Sequence, residues 1–259
     1  MTDDDDAVTA DALLRGRVRL YQPARGARMS LDPVLLAGFV TPPFGRFLDI
    51  GCGTGPLSFL LLAADPVASG IGVEIQPRLA ALALRGRDEN GWETRLEIIA
   101  GDVRAVGDQL GAGASDLVVT NPPYRTLDSS PPSPNEQRAL AHHEIALRLP
   151  EWVAVAARAV RPGGRVAAIL PVERSTELID ALAANGLRPA RTRNVHPHAG
   201  QPASRLLIEA RPGLEGPLVI EPPLVVHQRA GGFTPEVRRL LGEPDETPKA
   251  SDKTGRLKK

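Results

Sequence analysis

A short apolar segment that leads directly into a glycine-rich turn constrains the fold of this chain more than any other stretch. Residues 47–50 (FLDI) are followed at once by residues 51–55 (GCGTG), and a long apolar segment begins at residue 57. A strand, a glycine turn and a helix in this order open the dinucleotide-binding α/β fold. The spacing completes neither register of G-x-G-x-x-G, because Pro56 and Ser58 stand at the third-glycine positions, and no Lys-Ser/Thr pair follows. The turn therefore disfavours NAD, FAD and ATP as ligands.

Three acidic residues lie at the ends of successive predicted strands around this turn. Asp49 lies in the first strand, Glu74 ends the second strand at residues 71–74, and Asp102 follows the third strand at residues 96–100. An acid at the tip of the second strand is placed to accept hydrogen bonds from both hydroxyls of a ribose. Asp102 is placed to accept from an adenine amino group. Each acid alone is commonly a turn residue, but the three together indicate a nucleoside site.

A polar and rigid segment, Asn121-Pro122-Pro123-Tyr124, follows the fourth predicted strand at residues 115–120. The two prolines fix φ and remove two N–H donors, so the local carbonyls point outward without competing donors. The Asn121 side-chain oxygen and the Pro122 carbonyl can then accept both hydrogens of one NH₂ group, which frees the nitrogen lone pair to attack. Tyr124 offers a stacking face. The segment indicates chemistry at a planar amine without a charged general base, although a Pro-Pro loop ending in a buried Tyr fits these four residues equally well.

The remaining pattern continues an α/β sheet. Further strands are predicted at residues 166–170, 191–195 and 206–210, the last of them antiparallel, and residues 218–228 form a further strand broken by two prolines. Helices are predicted at residues 77–90 and 173–184, each ending at an Asn-Gly pair. Because ligands bind beyond the carboxyl ends of parallel strands, the first and fourth strands should bring the glycine turn and Asn121 together.

The N-terminal region predicts a hairpin and a helix. Three arginines alternate with apolar residues and indicate a hairpin within residues 16–29 with one basic face: Arg15, Arg17 and Arg19. That face is either a surface ribbon or a contact to a polyanionic substrate. Asp32 before Pro33 is the N-cap and N1 arrangement of a helix start, and Ser30 is a second capping candidate.

One long loop and two pairs of histidines complete the candidates for function. Residues 125–143 contain three prolines and little periodicity, which is typical of a loop over a substrate site. His142 and His143 are either catalytic or polar residues at a helix start. His196 and His198 could bind a metal, but two histidines without a third ligand favour a loop, so no metal is predicted.

Composition bounds the class of protein. The net charge of +0 gives no bulk basic field, so nucleic-acid binding cannot be argued from charge. All four lysines lie in the final eleven residues, which leaves arginine as the cation of the rest of the chain. The single cysteine, Cys52, excludes an intramolecular disulfide and is more typical of a packed small residue than of a nucleophile. With no apolar stretch of about 18 residues and an acidic N-terminus, we expect a cytoplasmic protein.

The chain reads as one domain between two polar tails. Residues 1–10 are predicted to be a disordered acidic tail and residues 242–259 a disordered basic tail. Between them, residues 11–241 form the domain, with an N-terminal hairpin and helix at 11–45, a Rossmann-like core at 46–211 and a C-terminal extension at 212–241.

With these motifs in place, the chain resembles class I S-adenosylmethionine-dependent methyltransferases that act on amines. The Ser30-Leu-Asp32 segment before an apolar helix, the Asn121 segment, residues 138–144 and the Pro222-Pro223-Leu-Val-Val segment resemble the tRNA1(Val) (adenine-37-N6)-methyltransferase family over about residues 12–241. The resemblance implies an α/β fold with a seven-stranded, mostly parallel sheet, helices on both faces and an antiparallel last strand. It also implies S-adenosylmethionine as cofactor and tRNA, at its anticodon loop, as partner, with no membrane and no obligatory protein partner.

The same resemblance implies a role for each matching residue. The methionine end of the cofactor would lie against Asp49, Gly51, Gly53 and Gly55, its ribose against Glu74 and its adenine against Asp102. Asn121 and Pro122 would orient the target amine, with Pro123 and Tyr124 against the base. Further contacts are implied on the N-terminal side and in the long loop: Arg28 and Arg138 to substrate, and Ser30 and Asp32 to cofactor. The predicted RNA-binding face carries fewer lysines than is usual for the family.

Two other functions remain open at this point. The same reaction could act on a glutamine amide of a release factor or ribosomal protein, or on guanine N2 of rRNA, because the Asn-Pro-Pro-aromatic segment suits planar amines in general. Alternatively, the chain could be a non-catalytic module that binds cofactor or RNA, although intact acids and an intact Asn121 segment disfavour this reading.

Overall fold

The computed structural model describes residues 7–26, 28–106, 110–122 and 148–244. The strands are β1 Val8–Leu13, β2 Val18–Pro23, β3 Arg46–Ile50, β4 Ser69–Glu74, β5 Leu96–Ala100, β6 Ser115–Thr120, β7 Val160–Pro171, β8 Leu187–His198, β9 Arg205–Pro212, β10 Val219–Ile220 and β11 Leu224–His227. The helices are α1 Asp32–Phe39, α2 Pro56–Ala64, α3 Pro77–Glu89, α4 Val103–Val106, α5 Leu149–Ala159, α6 Ser175–Ala184 and α7 Pro235–Leu240.

The central sheet has the strand order β10-β8-β9-β7-β6-β3-β4-β5, and β11 also pairs with β8. The five neighbouring strands β5, β4, β3, β6 and β7 are parallel, whereas β9 runs antiparallel to both β7 and β8. The mostly parallel sheet and the antiparallel last strand are therefore confirmed. The predicted strand at residues 218–228 forms as β10 and β11, which lie parallel to β8 and raise the sheet from the expected seven strands to nine in the described part of the chain.

Apolar residues cover both faces of the sheet, as a parallel sheet requires. On β3, Phe47 packs in a cluster with α1 and α2, and its neighbour Leu48 packs in a second cluster with α5 and α6 on the other face. Trp152 and Phe59 are 1% and 0% exposed and anchor these two clusters. The helices thus hold the strand ends in fixed positions from both sides.

The N-terminal hairpin lies earlier in the chain than predicted. β1 pairs with β2 from Val8 opposite Pro23 to Leu13 opposite Val18, so the arginines expected to alternate along one ribbon lie at its turn and on β2. The tail prediction is wrong for residues 8–10, which belong to β1, and residues 1–6 lie outside the described residues. The Arg85 guanidinium lies 3.9 Å above the Tyr21 ring, which fastens the hairpin to α3.

The start of α1 also differs from the prediction by one residue. Leu31 is the N-cap and Asp32 is the first helical residue, followed by Pro33, and no side chain caps the helix. Ser30 accepts a hydrogen bond at its Oγ from the Asp32 amide, at 3.2 Å. Since the Asp32 carboxylate does not cap, it is available for the distant contact described below. The predicted helix ends at Asn90-Gly91 and Asn185-Gly186 are confirmed, with both glycines at positive φ.

Candidate functional site

The glycine turn and the Asn121 segment leave the sheet side by side. Ile50 at the end of β3 is the register partner of Thr120 at the end of β6, and these two strands are parallel. The Thr120 hydroxyl, which is buried, donates to the Ile50 carbonyl at 2.9 Å and ties the two strand ends together. Neighbouring strands lie about 4.8 Å apart. The turn that begins at Gly51 and the side chain of Asn121 therefore start from adjacent positions at one edge of the sheet.

The glycine turn is held against β4 by backbone hydrogen bonds. The amides of Gly51 and Cys52 donate to the Val73 carbonyl at 2.9 and 3.1 Å. The φ angles at Gly51, Gly53 and Gly55 are 71°, 58° and 88°, which L side chains rarely adopt. A Cβ added at Gly51 or Gly53 would meet no atom of the described residues within 4 Å. Open space therefore lies directly over the turn, where a ligand can approach the backbone closely.

Glu74 binds the turn to the next strand end. One carboxylate oxygen of Glu74 accepts from the Gly53 amide at 2.9 Å and the other from the Gln76 amide at 2.8 Å, and the side chain is 5% exposed. The Glu74 carbonyl accepts from the Gly101 amide at 2.9 Å. A carboxylate has about four acceptor positions, and the Gln76 side-chain amide also donates to Glu74 at 3.4 Å, so one position remains for a ligand hydroxyl. The carboxylate is thus fixed in place with acceptor capacity to spare.

Asp49 lies beneath the turn. Its carboxyl is 1% exposed and accepts from both the amide and the hydroxyl of Ser58, at 3.2 and 2.7 Å. Burial raises the pKa of Asp49 to about 7, against the two hydrogen bonds from Ser58, which lower the pKa. Burial, with the nearby charges of Asp49 and Glu74, also raises the pKa of the Cys52 thiol well above its ordinary value. Cys52 is therefore an unreactive packing residue, as predicted from the sequence.

Asp102 forms part of a charged chain that leads from β5 to α5. Its carboxylate is bound by the Arg104 guanidinium at 2.6 Å, and the Arg104 side chain also contacts Glu151 at the start of α5, at 3.3 Å. The hydrogen bonds from Arg104 lower the pKa of Asp102, which keeps the carboxylate ionised. Both oxygens of Asp102 accept from the amide or the guanidinium of Arg104, so a ligand amine would have to compete with these bonds.

Asn121 and Pro122 are partly exposed at the end of β6. Within the described residues, the Asn121 side-chain amide makes no hydrogen bond, so its oxygen is available to a substrate. The other predicted substrate residues, Pro123, Tyr124 and Arg138, lie outside the described residues, and so do His142, His143 and the predicted loop over the site. The roles assigned to all of these residues stay predictions.

The N-terminal segment reaches the same edge of the sheet through an ion pair. The Asp32 carboxylate contacts the Arg205 Nε at 3.1 Å. Arg205 opens β9 and is the register partner of Pro171 at the end of β7, so Asp32 lies on the β7 side of Asn121. Arg28, by contrast, donates to Thr9, Asp11 and the Pro23 carbonyl within the hairpin. Its predicted contact to substrate would have to compete with these bonds.

Three residues of the site were not singled out from the sequence. Ser58 and Arg104 have local signals in the sequence. Ser58 lies three residues after Gly55, and Arg104 lies two residues after Asp102. Arg205 has no local signal, since its partner Asp32 is 173 residues away.

The described residues fit S-adenosylmethionine, the cofactor that the resemblance implies. The open space over Gly51 and Gly53 accommodates a ligand against the backbone, and Glu74 and Asp102 present acceptors in sequence along the neighbouring strand ends. An adenosine offers ribose hydroxyls and an exocyclic amine, which are donors, so the acceptor set matches it. Within the described residues, no cluster of three side chains suits a metal ion, and none of the described helices is long and apolar enough to cross a membrane.

Comparisons with known proteins identify the family of this chain. Residues 31–170 match the methyltransferase small domain family. The tRNA1(Val) (adenine(37)-N6)-methyltransferase of Porphyromonas gingivalis is 31% identical over 235 residues, which cover 86% of this chain and 91% of that protein.

Solved structures share the fold. A structure of a predicted O-methyltransferase from Agrobacterium tumefaciens is 25% identical, with a TM-score of 0.65 over 81% of this chain and 94% of that one. A structure of M. jannaschii TYW2 in complex with AdoMet has a TM-score of 0.55 at 10% identity, over 82% of this chain and 87% of that one. The fold is thus that of class I methyltransferases that use S-adenosylmethionine. The chain belongs to the methyltransferase small domain family and, within it, to the group of tRNA1(Val) (adenine(37)-N6)-methyltransferases.

Proposed function

We propose that this protein transfers a methyl group from S-adenosylmethionine to the exocyclic N6 of an adenine in tRNA, at a position like adenine 37 of tRNA1(Val). The observation that carries the proposal is the pairing of Ile50 with Thr120, which starts the glycine turn and the Asn121 segment from adjacent positions at one edge of the sheet. The Porphyromonas gingivalis relative named above acts on that adenine by its name. The anticodon loop as the site of contact and the cytoplasm as the compartment, where tRNA is processed, are parts of this proposal.

The chain's contribution on the cofactor side is to hold and orient. Gly51 and Gly53 leave room for close approach, Glu74 accepts from ribose hydroxyls, and Asp102 accepts from an adenine amine. Asp49 lies beneath the turn and fixes the start of α2 through Ser58. The bound cofactor supplies an electrophilic methyl group on a sulfonium centre. Because the described residues on the cofactor side are held by the chain's own hydrogen bonds, alignment can supply a large share of the rate enhancement.

On the substrate side, the Asn121 oxygen and the Pro122 carbonyl accept the two hydrogens of the target amine. This withdraws the nitrogen lone pair from the adenine ring and directs it at the methyl carbon. With S-adenosylmethionine bound, the amine nitrogen held by Asn121 and Pro122 would bond to the methyl carbon as the carbon–sulfur bond breaks, the electron pair would stay on sulfur, and the nitrogen would release one proton to solvent. No charged base is required, because the amine does not have to lose a proton before it attacks.

The base must leave its stack to reach Asn121. An adenine in a loop is unpaired or easily displaced, so extrusion costs at most a few kcal/mol. Stacking on an aromatic side chain contributes about 1 to 3 kcal/mol per base and can offset that cost. We assign this role to Tyr124, beside Pro123, with Arg138 on the RNA backbone.

The test compares Asn121→Ala with wild type in transfer of labelled methyl to purified tRNA. We expect kcat to fall at least about 100-fold, the usual effect of losing a hydrogen bond that acts in the transition state. The affinity for S-adenosylmethionine should stay within about twofold by calorimetry, because Asn121 acts on the amine. Asn194→Ala is the matched control, since Asn194 is an exposed asparagine on β8.

Nucleoside analysis identifies the product. Digested tRNA from cells that carry the protein should contain N6-methyladenosine, and tRNA from cells that lack it should not. Full activity of Asn121→Ala would refute the mechanism. Label that appears in protein or in guanine N2 of rRNA instead of tRNA would refute the substrate.

A further inference from the structure

A row of three rings lies at the ends of the strands that extend the sheet beyond β9. His198 ends β8, His227 ends β11, and these two residues are register partners. Their ring centroids are 5.2 Å apart, and the His227 ring stacks on Phe233 at 5.2 Å with an interplanar angle of 19°. All three residues are partly exposed. We call His198, His227 and Phe233 the ring row.

The ring row is on the same edge of the sheet as Asn121. Strands β6, β7, β8 and β11 are parallel, so their carboxyl ends point the same way. Four strand steps separate β6 from β11, which is about 19 Å at about 4.8 Å per step. Arg205 on β9 pairs with Pro171 at the end of β7 and with Val195 on β8. His198 follows Val195 along β8 and therefore projects beyond the end of β7. The row therefore lies roughly 20 to 30 Å from Asn121, which about six to nine stacked nucleotides span at a rise of about 3.4 Å each.

The surroundings of the row suit a nucleic acid strand. Arg229 follows two residues after His227, is exposed and carries no ion pair or hydrogen bond to any described residue. Its turn is held in place, because Gln228 donates from its side chain to the Phe233 carbonyl at 2.9 Å. Rings stack on any base, and an unpaired arginine binds phosphate. The histidines of the row have no third metal ligand among the described residues.

We propose that the ring row and Arg229 bind an unpaired nucleotide of the same tRNA, several positions away from the target adenine. The proposal rests on the proposed function, since that function makes tRNA the substrate. The rings stack on the base, Arg229 contacts its phosphate, and the target adenine is thereby presented to Asn121 in one register. The surface acts on RNA binding and has no part in the methyl-transfer step.

The first test replaces the central ring. His227→Leu replaces the ring with an aliphatic side chain of similar size, whereas His227→Phe keeps a ring. Because one stack contributes about 1 to 3 kcal/mol, we expect the Kd and KM for tRNA to rise about 5- to 150-fold in His227→Leu and to stay near wild type in His227→Phe. The kcat at saturating tRNA and the Kd for S-adenosylmethionine should change less than about twofold. A purely structural role would lower the melting temperature and kcat as well.

The second test uses a matched pair of exposed arginines, Arg229 in the turn after β11 and Arg188 on β8. Arg229→Ala should weaken tRNA binding and reduce the slope of log Kd against log salt by about 0.7, the contribution of one contact to a single strand. Arg188→Ala is the control, because Arg188 is exposed near the opposite end of β8 and should change neither quantity. This pair decides the question if His227→Leu does not fold.

The outcomes separate this proposal from the proposed function. Wild type that binds tRNA but methylates none of it would refute the proposed function alone, because the binding comparison still decides the role of the row. Folded His227→Leu and Arg229→Ala that bind tRNA as wild type does would overturn the ring row. Failure of wild type to bind tRNA at all would overturn both.

Discussion

The buried carboxyl of Asp49 makes the stability of this protein depend on pH in a way that one substitution removes. Burial raises the pKa of Asp49 from 3.8 to about 7. A difference of about 3 pH units corresponds to about 4 kcal/mol of unfolding free energy. Since the folded pKa is the higher one, this contribution is fully present below about pH 4 and is lost as the pH rises through about 7. In Asp49→Asn the side chain never ionises, and its oxygen still accepts from Ser58.

The measurement is urea unfolding of wild type and Asp49→Asn without ligand, at intervals from pH 4 to pH 8.5. We expect the variant to gain up to about 4 kcal/mol relative to wild type across this range, mostly between pH 4 and 7. Ser58→Ala is the control, because loss of a hydrogen bond to the carboxylate should move the wild-type transition to higher pH without abolishing it. Parallel stability curves for wild type and Asp49→Asn would show that Asp49 is solvated or has an ordinary pKa, which would refute the reasoning.

Two further substitutions test the cofactor side and the joint between the strands. Glu74→Gln removes the charge and one acceptor next to Gly53, so the Kd for S-adenosylmethionine should rise about 10- to 150-fold by calorimetry, at about 1.5 to 3 kcal/mol for a hydrogen bond to a charged group; an unchanged Kd would argue against the ribose role. Thr120→Val removes the donor to the Ile50 carbonyl, so the unfolding free energy should fall by about 1 to 3 kcal/mol in urea, while Thr120→Ser should retain it; equal losses in both variants would argue against this hydrogen bond as the cause.

The elements predicted best from the sequence were those whose signals are local. The glycine turn after β3, Glu74 at the end of β4 and the Asn121 segment after β6 each follow an apolar strand directly. Because the carboxyl ends of parallel strands meet at one edge, local strand ends were enough to predict that these residues converge. The convergence of Asn121 with the glycine turn is therefore a prediction that the register of β3 and β6 confirms.

What could not be predicted depends on distant partners. β1 contains Thr9, which was assigned to the tail because its bonds to Asp11 and Arg28 cannot be read from the local sequence. Asp32 looked like a helix cap because its true partner, Arg205, is remote in sequence. The pairing of β10 and β11 with β8 was also not predicted, because the sequence of a short strand does not indicate which strand it pairs with.

The hydroxyl of Thr120 on the Ile50 carbonyl has a consequence for how such a protein changes its target. The distance between the glycine turn, where the methyl donor would bind, and Asn121, where the methyl acceptor would bind, is set by the pairing of β3 with β6. That pairing does not depend on the side chains around the opening of the site. Substrate specificity can therefore change through the side chains around the opening alone, while the geometry of methyl transfer stays the same.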